Sequence, residues 1–138
     1  MANALYDKGR QKFLEGDIAW LTDDIKCCLL KIGTGAGEYD VDLANHEFLD
    51  DLDGIQETSA NFDGKTSTAG VADANNVTFT SATGDECGAV VIYKDTGTTG
   101  TSPLIAYIDD ATGLPVTPTG ADVTIEWDDT PDVKIFKL

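Results

Sequence analysis

The 138 residues carry 25 Asp and Glu against nine Lys and Arg, a formal net charge of −16. That imbalance argues against partners bound by phosphate neutralisation, both nucleic acid and an anionic membrane surface. The 41% apolar content argues against global disorder and for one domain spanning residues 1–138, long enough to bury a core without disulfide or metal staples.

In chain order, the first predicted element is a helix from about Ala4 to Glu15. Leu5, Gly9 and Phe13 fall on one face at four-residue spacing, with Lys8 and Lys12 beside them. Gly9 costs a helix about 1 kcal/mol relative to Ala, which suits a helix held by packing or by a partner. Gly16 is the expected C-terminal cap. Lys8, Arg10 and Lys12 make this segment locally positive, since Asp7 is the only acid before Glu15. Residues 1–16 therefore read as a docking arm and residues 17–138 as a mainly β body. No apolar stretch follows the basic cluster as a signal peptide requires, and none approaches the roughly 18 residues of a membrane span.

"IKCCLLKIG" places apolar side chains on both faces of a strand, the pattern of a central, doubly covered strand. The Gly33–Gly37 run lacks the Gly-Lys-Ser/Thr ending of a phosphate loop and is read as a plain loop. "NHEFLDDLDG" predicts a second short helix, with Asn45 as N-cap and Gly54 as its end. Strands follow at "VTFTS", "AVVIYK" and "PLIAYID", the last with Leu104, Ala106 and Ile108 opposite Ile105 and Tyr107. "DATG" reads as a hairpin turn. Pro115 and Pro118 confine the next stretch to an edge. "DVTIEW" alternates with Val123, Ile125 and Trp127 inward, "DDTPD" turns the chain, and "VKIFKL" is the last strand. The fold class expected is a mainly β antiparallel sandwich or barrel, with a short N-terminal helix and one further short helix. Tyr93 to Trp127 is expected to form a meander within it.

Candidate chemistry is sparse. "LDDLDGIQETSA" would place Leu49 and Ala60 at the first and twelfth positions of a calcium loop, so it is not an EF-hand. Asp109/Asp110 and Asp128/Asp129 are adjacent carboxylates that diverge on a strand, unlike the facing pair a glycosidase needs. His46 is the only histidine, and no zinc or Cys–His signature surrounds it. Cys27 and Cys28 point to opposite faces, and with Cys87 they are expected to be reduced, buried thiols, a Cys87 disulfide being the alternative. Asn76-Val77-Thr78 is a chance sequon. Neither catalytic residues nor cofactors are expected. Trp127 and Trp20 suit core positions, and Trp20, just after the basic helix, also suits an interface anchor.

Four stretches carry a family resemblance: "MANALYDKGRQKFLEGDIAWLTDDIK", "GKTSTAGVADANNVTF", "VIYKDTGTTGTSPLIAYIDDATGLPVTPTGADVTIEWDD" and the closing "KIFKL". Together they resemble a family of small tailed-bacteriophage virion proteins over nearly the whole chain, the stretch from about Gly33 to Asp63 excepted. The resemblance implies a non-enzymatic capsid decoration (cement) protein, made in the host cytoplasm and sited on the outer surface of the virion. It implies the major capsid protein as partner and a homo-oligomer, trimer or dimer. Leu5, Lys8, Arg10, Lys12, Phe13 and Trp20 are then the expected docking residues, and removal of residues 2–16 is expected to abolish binding while the β body stays folded. The competing expectations are a neck, tail or fibre component, and a displayed carbohydrate-binding module using its acidic loops with calcium.

Overall fold

The computed structural model describes residues 3–128 and 134–138. The protein is mainly β, built on a five-stranded antiparallel sheet of order β1-β7-β6-β2-β3. Its strands are β1 (Ala4–Leu5), β2 (Ile25–Leu30), β3 (Ile55–Thr58), β6 (Ala89–Lys94) and β7 (Leu104–Ile108). Two short antiparallel pairs accompany it: β4 (Val71–Ala72) with β9 (Phe136–Lys137), and β5 (Val77–Phe79) with β8 (Val123–Ile125). Among the described residues, one helix, α1 (Asp7–Leu14), and three short 3₁₀ turns complete the fold.

The central strands are covered on both faces, as their apolar patterning requires. From β2 and β6, Ile25, Cys27, Leu29, Val90 and Ile92 share one core with Val77, Phe79, Val123 and Ile125 of the β5–β8 pair. Cys28, Leu30, Val91 and Tyr93 point into a second core closed by Tyr6, Tyr39, Val41, Leu43, Leu49 and Leu52. The architecture is sandwich-like, with small sheets on one side of the main sheet and an irregular segment, residues 39–52, on the other. A bulge interrupts the β6–β7 ladder, where Ile92 pairs with Ala106 but Tyr93 pairs with Leu104. The extra residue, Ile105, joins Ala106 and Ile108 in the first core and moves Leu104 to the second with Tyr107. Strict alternation along β7 therefore fails at one residue.

The N-terminal segment differs most from expectation. Ala4 and Leu5 are not helical; they form β1 on the edge of β7, opposite Tyr107 and Ala106. Helix α1 starts only at Asp7 and ends in a Schellman motif, with Gly16 N–H to Phe13 O (3.2 Å), Asp17 N–H to Lys12 O (2.9 Å) and Gly16 at φ +80°. The segment is woven into the main sheet. Deleting residues 2–16 would remove an edge strand and the fully buried Tyr6, so the β body is not expected to survive that truncation intact.

The second helix is reduced to a 3₁₀ turn at Leu49–Asp51. The Asp42 carboxylate takes the N–H groups of Ala44 and Asn45, and the Asp51 carboxylate those of Glu47 (2.7 Å) and Phe48 (3.0 Å). Side-chain acceptors thus satisfy donors that a helix would have used. Nor does β8 return beside β7. The free edge of β7 is occupied by β1, so the chain after Ile108 crosses to the other layer and pairs with β5. The meander ends after two strands. Cys87 and Val116 meet only in an isolated bridge, in keeping with the prolines around Val116. The expected "DDTPD" turn, apart from Asp128, and Val133 of the expected last strand lie outside the described residues; Lys134 and Ile135 precede the strand, which is confined to Phe136–Lys137.

A row of aromatic rings ties the periphery together. Phe13 of α1 packs on Phe136 of β9 (centroids 5.9 Å), Phe136 on Trp20 (5.2 Å), Trp20 on Phe62 (6.1 Å) and Phe62 on Trp127 (5.6 Å). Both indole N–H groups find backbone acceptors, Thr66 O at 3.0 Å and Asn75 O at 3.2 Å. Such amphipathic rings suit this border position.

Candidate docking face

Helix α1 rests on β7 through Gly9, its only buried residue. At 3.6 residues per turn, Arg10, Phe13 and Leu14 then fall to one flank of the helix and Lys8 and Lys12 to the other. The first flank meets β9. There Leu5, Arg10, Phe13, Leu14, Lys137 and Leu138 line a groove of about 250 Å³. Leu14 is 89% exposed, Phe13 half-buried, and Leu5 forms a buried part of the wall.

The electrostatics of this face set it apart. Lys26, Lys31, Lys94 and Lys134 each lie within ion-pair distance of an Asp, and Lys65 donates to Asp23 O at 2.6 Å. Lys12, on the far flank, sits between Glu47 (3.7 Å), Asp17 (3.9 Å) and Glu15 (4.0 Å), with its ammonium over the Phe48 ring. Lys8, Arg10 and Lys137 make no ion pair among the described residues. Two of these three unpaired cations, Arg10 and Lys137, stand at the groove on a chain whose acids outnumber its bases.

The predicted docking residues are therefore divided. Arg10 and Phe13 share the groove with part of Leu5; Lys8 and Lys12 are on the opposite flank. Trp20 is core: it is 7% exposed, its N–H is taken by Thr66 O, and its ring makes T-shaped contacts with Phe62 and Phe136. It cannot anchor a partner without leaving that packing. Sequence reasoning missed Leu14, Lys137 and Leu138. The signal for Leu14 was present, since it lies off the Leu5–Gly9–Phe13 stripe; nothing in the sequence placed β9 beside α1.

A second constellation joins loop to sheet. The Tyr6 and Tyr39 hydroxyls are 2.7 Å apart, and the Tyr39 hydroxyl is 2.7 Å from His46 Nδ1. The Asp42 N–H also points at Nδ1 (3.3 Å), which makes that nitrogen the acceptor and orders the chain Tyr6 to Tyr39 to His46. Burial pushes both phenols above the ordinary tyrosine range. With Tyr6 fully buried and His46 half-buried in the loop, this array fastens residues 39–46 to the second core. His46 does not start a helix.

Cys27, Cys28 and Cys87 are free and buried, and burial raises all three thiols. The backbone of Asp109 and Asp110 is held by Asn3, whose Oδ1 accepts both N–H groups (3.0 and 2.9 Å). Asp129 lies outside the described residues. Among the described residues no group of three or more His, Cys, Asp or Glu side chains is placed to hold a metal ion, and no helix is long and apolar enough to cross a membrane. No protein-family model matches the chain, and no curated protein matches it either.

Proposed function

We propose that this protein is a non-enzymatic structural component of a phage virion, a decoration protein that binds the outer surface of the capsid in many copies and stabilises it. The observation that carries this reading is the α1–β9 face: exposed aliphatic side chains, and cations without an ion pair among the described residues, gathered at one place on a strongly acidic body. The resemblance of the sequence to small phage virion proteins supplies the context. The acidic body suits the outside of the shell, because packaged DNA would repel it. Oligomerisation, as a trimer or dimer about a symmetry axis, would multiply modest contacts into stable binding to the major capsid protein.

The test is the copy number of the protein in purified particles, by quantitative mass spectrometry against the major capsid subunit. A count in fixed ratio to that subunit, on the order of hundreds, is expected for a symmetric shell lattice. A dozen copies or fewer would assign the protein to the neck, tail or fibres, and absence from the particle would end the virion reading.

A further inference from the structure

We infer that the α1–β9 groove takes an acidic, aliphatic segment of a different protein chain, two features read from the groove itself. Its walls are apolar (Leu5, Phe13, Leu14, Leu138), and its two charged side chains are both cationic, Arg10 and Lys137. At about 250 Å³ it is smaller than the roughly 300–1,000 Å³ of sites that enclose drug-sized molecules, so it suits side chains presented by a macromolecule. Leucine-sized side chains would bury against Leu14 and Phe13, and flanking carboxylates would reach the guanidinium and ammonium at the rim.

Charge complementarity chooses among occupants. A second copy docking face to face through the same groove would set Arg10 and Lys137 against their own counterparts, between two bodies each of net charge −16. A basic segment has abundant acidic surface elsewhere on the protein but meets like charge here. The partner is thus an acidic segment with aliphatic side chains. Its source, a capsid subunit, rests on the virion reading; its chemistry does not.

The experiment uses the full chain, isotopically labelled, titrated with a short blocked peptide of Asp, Glu and Leu and with its counterpart carrying Lys at every acid. The acidic peptide is expected to shift amide resonances around Arg10, Leu14 and Lys137. The paired substitution Arg10→Glu and Lys137→Glu is expected to weaken that binding at least tenfold, and Leu14→Asp to weaken it comparably. All three side chains are exposed, so unchanged spectra elsewhere confirm that the variants fold. No groove shifts at millimolar acidic peptide, equal binding of the Lys peptide there, or a groove already occupied by a second copy would each overturn the inference. Particle copy number is read separately, so absence from virions sinks the virion reading without touching the peptide result.

Discussion

Gly9 lies directly on the Leu104 carbonyl: a methyl group at Gly9 would overlap that oxygen and stand 3.2 Å from Ile105 Cα. The helix therefore approaches β7 at backbone distance, at the site of the β7 bulge. In an open helix, Gly→Ala stabilises by about 1 kcal/mol. Here Gly9→Ala is expected to destabilise by about 1–3 kcal/mol, because the obstacle is backbone and cannot rotate away. Urea denaturation measures this, and an unchanged or raised midpoint would mean that α1 can lift off the sheet freely.

The Tyr6–Tyr39 contact predicts a second effect. Tyr39→Phe leaves the fully buried Tyr6 hydroxyl without its acceptor, at a cost of about 1–3 kcal/mol. Tyr6→Phe in the same background should recover part of that loss, with a coupling of about 0.5–3 kcal/mol in a double-mutant cycle. Additive effects would show that the two hydroxyls do not act as a unit.

The buried thiols contribute to the alkaline behaviour ahead of the buried phenols, because their ordinary value is lower. From an ordinary value of 9.0, burial pushes Cys87 up to about 11 and Cys28 up to about 12. Between the unfolded and folded values the folded protein binds more protons. Their contribution is therefore complete below about pH 9 and declines as pH rises through 9 to 12. Denaturation midpoints should fall from pH 8 to about pH 10.5, with a shallower fall in Cys28→Val. A disulfide-based thiol reagent should label the native protein only as fast as it opens, and rapid labelling at neutral pH would contradict the buried assignment.

Acid acts with the opposite sign. Backbone N–H groups of Glu47 and Phe48 hold the Asp51 carboxyl below its usual 3.8, and Lys26, at 2.8 Å, does the same for Asp95. Both groups contribute stability above their unfolded pKa that is lost as pH falls through the lower folded values. Asp51→Asn should lower stability at about pH 5 and flatten the decline toward about pH 2. An identical acid profile in the variant would remove Asp51 from the account.

What the residues declare locally is the central sheet. Two-faced apolar runs at Ile25–Leu30 and Ala89–Lys94 can satisfy their side chains only as interior strands, and Val123, Thr124 and Ile125 alternate as a half-buried strand must. Gly16 marked the helix end because a Schellman cap needs a left-handed residue there. Non-local competition decided the rest. Ala4 and Leu5 have helical spacing, yet the vacant edge of β7 drew them into a strand, and that occupancy sent β8 to the other layer. Asp42 and Asp51 captured the N–H groups on which a second helix depended. The docking face followed the same rule: the basic helix was legible in the sequence. Which flank faces outward was fixed only when Gly9 seated on β7 and β9 arrived beside Phe13, since helix rotation is set by the surface beneath it.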